Sequence, residues 1–266
     1  MEKKLPVREY ILLDETVSTN NDLKNGLRSG EISPLSVISA KRQSGGRGRL
    51  GREFVSPPGG VYFSASYPLT GREKNIPFLT LAAGLAAAEA IEENTDEITA
   101  ARLKIKWPND IYIGGKKVCG ILTELTSCKS GLAAVVGVGI NCAPVRDACP
   151  AELADKITSL VEEGISFEKE KLVRTITEKL DTFVYSLGVL DGAPTEFTDA
   201  INSRSYLKGK KIAFDNGSQR CEGIAASVLP DGSLLALTDS GSTAIKFGEV
   251  VAVGSDRPDK DCHGQL

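Results

Sequence analysis

Residues 41–52 read Lys-Arg-Gln-Ser-Gly-Gly-Arg-Gly-Arg-Leu-Gly-Arg, and the rest of the chain is organised around this segment. The segment contains five cationic side chains and no acid, although the chain of 266 residues has a formal net charge of −3. Its four glycines let the backbone come close to a ligand. Arginine binds phosphate and carboxylate oxygens through paired, charge-assisted hydrogen bonds. The pattern favours a mobile loop that binds an anion; the alternative is a solvated turn or an RNA-binding tract.

The overall charge and hydropathy exclude several classes of partner. Cationic and anionic side chains nearly balance, 32 against 35, so the chain as a whole is not attracted to nucleic acid or to a membrane surface. We therefore expect neither partner. The first residues have no apolar targeting segment, and no apolar run is long enough to cross a bilayer, which predicts a cytoplasmic protein.

The cysteines and the histidine limit the chemistry. Six cysteines are dispersed without a Cys-X-X-Cys pair, which predicts reduced thiols and neither a zinc site nor a disulfide framework. The one histidine, His263, lies four residues from the end of the sequence, which argues against a Ser-His-Asp triad and a histidine-bound metal. The reaction must therefore use lysine, arginine and carboxylates with a bound metal-nucleotide, and we predict no metal site built from protein ligands.

Strand-like and helix-like patterns alternate up to residue 205, and turn residues separate them. We predict strands at 10–13, 35–40, 61–67, 103–106, 111–113, 116–124 and 131–140, and helices at 18–30, 78–93, 157–163, 168–190 and 194–204. A Gly-Gly turn at 114–115 predicts a hairpin that brings Lys117 close to Asp110. The cluster of Ser18, Thr19 and Asn20 either caps a helix or faces a ligand, and the sequence leaves both open.

The pattern changes after residue 205. Short β-like runs at 211–214, 223–228, 234–237, 243–247 and 250–253 are separated by Asn-Gly and Asp-Gly turns, which predicts a small antiparallel barrel. We therefore divide the chain into a large domain at 1–205, a small domain at 206–254 and a polar tail at 255–266.

Five blocks of sequence, taken in order and with their spacing, resemble the biotin protein ligases, also called biotin–[acetyl-CoA-carboxylase] ligases. They are Ser18-Thr-Asn20, Gln43 with Gly46-Arg-Gly-Arg-Leu-Gly-Arg52, Lys106-Trp-Pro-Asn-Asp110, Lys117 with Gly120-Ile-Leu-Thr-Glu124, and Gly137-Val-Gly-Ile-Asn141. One such block is weak evidence, because short motifs recur by chance. Five in register, spanning most of residues 10–254, are specific. Val17 departs from the pattern, because the family often has aspartate there.

The resemblance implies an α+β fold, in which a mixed β-sheet with helices, like that of class II aminoacyl-tRNA synthetases, precedes an SH3-like barrel. It also implies a reaction in two steps. Biotin carboxylate first attacks the α-phosphate of Mg-ATP to give biotinyl-5′-AMP and pyrophosphate. A lysine of a biotin carboxyl carrier protein then attacks this mixed anhydride. ATP, biotin and Mg²⁺ are the implied small molecules, and the carrier protein is the implied partner.

Carried over by position, the resemblance assigns a role to each matching residue. The implied catalytic residues are Lys117, Arg49 and Asp110. The implied biotin-binding residues are Ser18, Thr19, Asn20, Gln43, Arg47, Gly48, Arg49 and Gly120. The implied residues at ATP or the adenylate are Arg47, Arg49, Arg52, Trp107, Asn109, Lys117 and Asn141.

Elementary chemistry agrees with these residue types. A carboxylate that attacks a phosphate brings two anions together, so cations are needed to offset the repulsion and the charge that develops on phosphorus. The carboxylate is already a nucleophile, so no histidine base is required. Because the anhydride hydrolyses readily, a glycine-rich loop that orders over it and excludes water has a purpose.

Some relatives in this family carry an N-terminal helix-turn-helix domain and repress transcription. Here the catalytic pattern begins by Tyr10, so we expect a ligase without repressor activity. Many relatives pair through the sheet of the catalytic domain, which makes a homodimer possible. Two alternatives stay open: a lipoate or octanoate ligase, which shares the fold and the acyl-adenylate chemistry, and a non-enzymatic RNA-binding module.

Overall fold

A computed structural model describes residues 5–69, 71, 76–145, 148–215 and 219–253. The large domain is built on a seven-stranded sheet with the order β1-β2-β3-β7-β6-β5-β4. The first two strands are parallel and every other neighbouring pair is antiparallel, so the sheet is mixed as predicted. The strands are β1 (Glu9–Thr16), β2 (Ser36–Gln43), β3 (Val61–Pro68), β4 (Leu103–Lys106), β5 (Asp110–Ile113), β6 (Lys116–Cys128) and β7 (Gly131–Ile140).

Helices cover both faces of this sheet. The described α-helices are α1 (Thr19–Ser29), α2 (Ile76–Glu92), α3 (Glu97–Arg102), α4 (Ala151–Ala154), α5 (Lys169–Asp181) and α6 (Thr195–Ser203). The alanine- and leucine-rich α2 is almost wholly buried between the sheet and α5, as its composition predicts. On the opposite face α1 crosses β2, β3, β6 and β7. The chain leaves α1 through Gly30, whose φ of 75° is a conformation that glycine adopts at little cost.

The central strand β7 shows how the sequence makes room for a site on the α1 face. Because side chains alternate along a strand, one face of β7 carries residues of the main core, and the other carries Ala133 and Val135. Those two pack beneath α1 with Leu23 and Leu27. Further along the same face the chain has only glycine, at 137 and 139. The sheet therefore has a bare strip just beyond the N-terminus of α1.

The segment predicted to form the small domain contains a five-stranded antiparallel sheet with the order β11-β10-β9-β8-β12, and the name small domain is used for it below. Its strands are β8 (Lys211–Asp215), β9 (Arg220–Val228), β10 (Leu234–Thr238), β11 (Gly241–Ile245) and β12 (Val250–Ala252), which agrees closely with the predicted runs. Among the described residues, β11 and β12 are the two edges of this sheet and do not pair with each other, so the sheet is open and does not form a closed barrel. Its buried side chains, among them Ile212 and Phe214, belong to the same apolar cluster as those of α2.

Some predicted helices are wrong. Residues 157–163 form turns, because the amides of Thr158 and Leu160 donate to the carbonyls of Lys117 and Asn141, both 2.9 Å away, instead of closing a helix. The helix predicted at 168–190 ends at Asp181 and is followed by one π-helical turn, Thr182–Ser186. The short helices α3 and α4 were not predicted.

The described cysteines are free thiols, and two of them, Cys119 and Cys142, are buried in the core. The predicted polar tail at 255–266 lies outside the described residues, as do Cys262 and His263. Within the described ranges, no helix has the length and apolar character needed to span a bilayer.

Candidate active site

A cleft of about 330 Å³ lies over the bare strip of the sheet. It is bounded by the start of α1, the 41–52 loop, the turn between β4 and β5, and the β12 edge of the small domain. The structure brings all the residues predicted for the site to this cleft: Ser18, Thr19, Asn20, Gln43, Arg47, Gly48, Arg49, Arg52, Trp107, Asn109, Asp110, Lys117, Gly120 and Asn141.

The start of α1 forms one end of the cleft with neutral, buried side chains. Ser18 occupies the N-cap position, but its side chain makes no capping hydrogen bond. Thr19 donates from its amide, at 2.9 Å, and from its hydroxyl, at 3.2 Å, to Oε1 of Gln43. The Gln43 amide in turn donates to Ser56 Oγ at 3.0 Å. Among the described residues, the Ser18 hydroxyl has no hydrogen-bond partner, so it is free to bind a ligand.

The floor of the cleft is made of glycines. A Cβ added to Gly139 would lie 2.5 Å from the ring of Phe54, and one added to Gly120 would lie 3.1 Å from the same ring. Real Cβ atoms do not approach other atoms as closely as the first distance. Phe54 therefore packs against backbone that has no side chains, and its ring makes an edge-to-face contact with the ring of Tyr62, with the centroids 6.5 Å apart. No sequence pattern predicted a role for Phe54.

The ammonium group of Lys117 is paired with a carboxylate at the edge of the cleft. Its Nζ lies 2.7 Å from Asp110 Oδ1. This carboxylate oxygen is buried and accepts no well-directed hydrogen bond from the described residues, so the contact is ionic. The predicted proximity of the two residues is confirmed, and an irregularity in the β5–β6 pairing places Lys117 opposite Tyr112. The backbone of Lys117 is fixed by hydrogen bonds of 2.8 and 2.9 Å with Lys156 and Thr158.

Arg49 reaches from the loop across the cleft. Its guanidinium donates to Oδ1 of Asn109 at 3.3 Å and to the carbonyl of Gly248, in the small domain, at 2.9 Å. Burial lowers the pKa of this guanidinium from its ordinary value, and the nearby Asp110 and Glu249 oppose that change. Because arginine stays protonated in proteins, the result is a partly desolvated cation with protein acceptors of its own.

The other arginines of the loop are more exposed. Arg52 forms a two-pronged ion pair with Glu249, one of whose contacts measures 2.7 Å, and these side chains are 62% and 43% exposed. The hydrogen bonds from Arg52 lower the pKa of the Glu249 carboxyl. Arg47 donates to Asn21 Oδ1 in α1. Leu50, at the loop tip, has φ of 57° and is 74% exposed.

Three residues predicted to contact the nucleotide also hold the cleft together. The Asn109 amide donates to the carbonyl of Ile121 at 3.0 Å. The indole of Trp107, which is buried, donates to Gly232 O at 3.0 Å and so ties the β4–β5 turn to the small domain. The Asn141 amide donates to Thr158 O at 3.2 Å. These polar groups already have protein partners, which limits how they can also bind a ligand.

The described residues include no group of three or more His, Cys, Asp or Glu side chains that could hold a metal ion. Of the cleft residues that were not predicted, Phe54 and Glu249 are the most informative. Glu249 is nearly two hundred residues from the arginine that it binds, so no local pattern pointed to it. Phe54 lies two residues after the loop, and a ring close to a glycine-rich segment was the available signal.

Residues 12–141 match the model of the biotin/lipoate A/B protein ligase family. The biotin–[acetyl-CoA-carboxylase] ligase of Paracoccus denitrificans is 30% identical over 242 residues, which are 90% of this chain and 98% of that protein. The bifunctional ligase/repressor BirA of Escherichia coli is 34% identical over 166 residues, and the match spans about half of its length, 49%.

Among solved structures, the biotin protein ligase from Aquifex aeolicus in complex with biotin and ATP is similar with a TM-score of 0.75 and 32% identity. The alignment covers 91% of this chain and 97% of the Aquifex chain. The chain belongs to the biotin protein ligases of the biotin/lipoate A/B protein ligase family.

Proposed function

We propose that this protein is an ATP-dependent ligase that attaches biotin to a lysine of a biotin carboxyl carrier protein through biotinyl-5′-AMP. The observation that carries the proposal is one cleft with two chemically different ends. The "biotin end" consists of Ser18, Thr19, Asn20 and Gln43, which are neutral. The "nucleotide end" consists of Arg47, Arg49, Arg52, Asn109 and Lys117, with Asp110 and Asn141 beside them. A neutral, bicyclic urea with an apolar tail suits the first end, and a polyphosphate suits the second.

The first step joins two anions where the two ends meet. An oxygen of the biotin carboxylate forms a bond to the α-phosphorus, and the bond from that phosphorus to the bridging oxygen breaks. Pyrophosphate leaves with the electron pair. Lys117 and Arg49 offset the repulsion and the growing negative charge, and both are already held in place by backbone or side-chain contacts. Groups that are fixed in advance do not have to reorganise during the reaction.

The second step releases AMP. The lysine amine of the carrier protein attacks the acyl carbon of the anhydride, the bond to the phosphate oxygen breaks, and the amine loses a proton. The 41–52 loop would cover the anhydride until the carrier protein arrives and keep water away from it. Contacts from Arg49 and Arg52 to the small domain support a loop that can be held against the cleft.

Mg²⁺ is the metal that we propose for the nucleotide. It keeps several waters and binds proteins through one or two carboxylates together with substrate phosphates, so a dedicated protein cage is not needed. Asp110 could supply one such carboxylate at the nucleotide end; its Oδ1 already contacts the Lys117 ammonium at 2.7 Å, so Oδ2 is the oxygen that would bind the ion. The ion would neutralise charge on the phosphate oxygens. Asp110, next to Lys117, is therefore the one carboxylate that we propose as a protein ligand of Mg²⁺.

Exchange of labelled pyrophosphate into ATP tests the function. We expect exchange with biotin, and none with lipoate or without an acid. Exchange with lipoate alone would favour the lipoate ligase alternative, which the family model also covers. No exchange with either acid would favour the RNA-binding alternative, which the nearly balanced charge opposes.

Three finer features belong to the same proposal. The acceptor would be the carrier domain of acetyl-CoA carboxylase, in a cytoplasmic setting. The five strands of the small domain would form an SH3-like barrel, with domain limits at 1–205 and 206–254. A homodimer would use an edge of the large sheet, where β1 pairs on one side with β2. Light scattering of the purified chain measures the last feature, and transfer of biotin to an isolated carrier domain measures the first.

A further inference from the structure

Behind the biotin end lies a buried ion pair that the proposed mechanism does not use. Lys24, on α1, pairs with Glu124, on β6, and these side chains are 10% and 26% exposed. Lysine and glutamate are seldom this buried unless they are paired. Neither side chain lines the cleft, so any effect on a ligand must pass through another residue.

That other residue is Asn20. Its Nδ2 donates to Oε2 of Glu124 at 2.8 Å and to the carbonyl of Leu122 at 3.3 Å, while its Oδ1 meets Ser64 Oγ at 2.6 Å. Both hydrogens of the amide are thus used. If the amide turned over, its oxygen would face a carboxylate and a carbonyl, two acceptors without a proton. Glu124 therefore sets which way the amide of Asn20 points.

The orientation of Asn20 matters to the cleft because there is no space for adjustment. A Cβ added to Gly137 would lie 2.3 Å from Asn20 Oδ1, so the amide rests directly on the sheet. Ser64 Oγ, which meets that oxygen, also lies 2.7 Å from the hydroxyl of Thr19. Thr19 in turn donates to Gln43. Ser64 has one hydroxyl proton, which can go to Asn20 or to Thr19 but not to both, and the backbone amide of Thr19 donates to Gln43 whichever way the hydroxyls point. A continuous row of polar contacts thus runs from the ion pair to the surface that a ligand would touch.

The ionisation of Glu124 is consistent with this arrangement. Burial raises the pKa of its carboxyl, but hydrogen bonds from Lys24 and Asn20 outweigh burial, and the net change is downward. The carboxylate is therefore charged at neutral pH and can only accept.

We propose that Glu124 and Lys24 are positioning residues for biotin: Glu124 orients the amide of Asn20, Lys24 holds Glu124, and Asn20 passes the orientation through Ser64 to the hydroxyl of Thr19. This inference rests on the proposed function, because the ligand at this end is taken to be biotin. Nothing in the general chemistry of adenylation requires the pair.

Glu124→Gln is the decisive variant, because it keeps the size and replaces one acceptor with an amide donor. One end of the new amide must then face a donor, either the Lys24 ammonium or the Asn20 amide. We expect the KM for biotin in pyrophosphate exchange to rise about tenfold, while kcat and the KM for ATP change by less than about twofold. A KM for biotin equal to that of the unmodified protein would overturn the proposal.

Glu92→Gln is the matched control. Glu92, on α2, forms an ion pair of 2.8 Å with Arg204, and the two side chains are similarly buried, 21% exposed for Glu92 and 25% for Arg204. Neither residue lines the cleft. We expect this variant to keep the KM for biotin. An equal rise in both variants would indicate loss of stability alone and would contradict the positioning role.

A double-mutant cycle tests whether Glu124 acts through Asn20. If it does, Glu124→Gln has little further effect on the KM for biotin in a chain that already carries Asn20→Ala. Additive effects would contradict the proposed connection. If Glu124→Gln does not fold, as judged by thermal unfolding, Lys24→Met replaces it in the cycle. Lys24→Arg keeps the cation, and we expect it to restore the KM that Lys24→Met raises.

The same measurements separate the two proposals. If the unmodified protein and Glu92→Gln show no exchange that depends on biotin, the proposed function is wrong. If both are active and Glu124→Gln is indistinguishable from them, the function stands and the positioning role is wrong.

Discussion

The two ends of the cleft are built in opposite ways. At the biotin end, Ser18, Thr19 and Asn20 are buried, uncharged and, apart from the Ser18 hydroxyl, hydrogen-bonded within the described protein. At the nucleotide end the arginines come from a glycine-rich loop, and Arg52 is more than half exposed. The first end is therefore organised by packing and by fixed hydrogen bonds, and the second by charge that can be rearranged.

This difference separates recognition from chemistry. A rigid, neutral surface can discriminate by shape and by unpaired polar groups, because a wrong ligand leaves a buried group without its partner. A cationic loop gives little discrimination among anions, but it offsets charge during the reaction. Changes at the biotin end should therefore act on the KM for biotin, and changes at the nucleotide end on kcat and on retention of the intermediate.

The largest effect is expected at the junction of the two ends. Lys117→Ala removes the ammonium that is paired with Asp110 at 2.7 Å, and we expect the rate of pyrophosphate exchange to fall about 10²–10³-fold. Lys116→Ala is the control, because Lys116 adjoins it at the hairpin and does not line the cleft. Near-normal exchange in the Lys117 variant would remove this residue from the centre of the mechanism.

The loop itself should control how long the intermediate stays bound. For Arg49→Ala we expect biotinyl-AMP to dissociate about tenfold faster, because a charge-assisted contact is lost, while the KM for biotin is kept. The release of labelled intermediate from the purified complex measures this rate. Arg42→Ala, which breaks an exposed ion pair with Glu15 outside the cleft, provides the comparison. Equal rates in the two variants would argue against a covering role for the loop.

A methyl group added to the glycine floor of the cleft, by Gly137→Ala, should disturb only the biotin end. Gly137→Ala would place its Cβ against Asn20 Oδ1, and we expect the KM for biotin to rise about fivefold to tenfold, since the buried amide has to shift. Gly84→Ala, in α2 on the other face, meets its nearest atoms at 3.6 and 3.8 Å, which is ordinary contact. An unchanged KM for biotin in the Gly137→Ala variant would contradict this prediction, because it would show that the biotin end accommodates the added methyl group.

The smallest effect is expected from the exposed pair of Arg52 and Glu249. Because both side chains are solvated, Glu249→Gln should reduce the free energy of unfolding by less than about 1 kcal/mol, and the difference should shrink in high salt. The pKa of the Glu249 carboxyl is lowered in the folded protein, so this stabilisation is present above its ordinary pKa and is lost as the pH falls through the lowered value. Thermal unfolding of the unmodified protein and of Glu249→Gln at two salt concentrations measures this difference. A larger loss of stability that does not change with salt would contradict the prediction.

Most of the fold could be predicted because local signals agreed with the final packing. The left-handed Gly30 ends α1, a Gly-Gly turn closes the β5–β6 hairpin, and the apolar composition of α2 matches its burial. Lys117 and Asp110 meet because that hairpin is short. Wherever a residue's partner lies a few positions away, the sequence carries the information that is needed.

The parts of the fold and of the site that could not be predicted depend on contacts between residues that are distant along the chain. Residues 157–163 have apolar side chains at helical spacing, yet the amides of Thr158 and Leu160 donate to Lys117 and Asn141. The pairs of Glu124 with Lys24 and of Arg52 with Glu249 join positions 100 and 197 residues apart. No periodicity in one sequence identifies such pairs, so these parts of the site emerged only with the structure.

A crystal structure of the protein with biotin and a non-hydrolysable ATP analogue tests the central claim most directly. The account predicts that Lys117 Nζ and the Arg49 guanidinium lie within hydrogen-bonding distance of the biotin carboxylate or of the α-phosphate oxygens, with the 41–52 loop closed over them. Cations that instead point into solvent, away from both ligands, would contradict it.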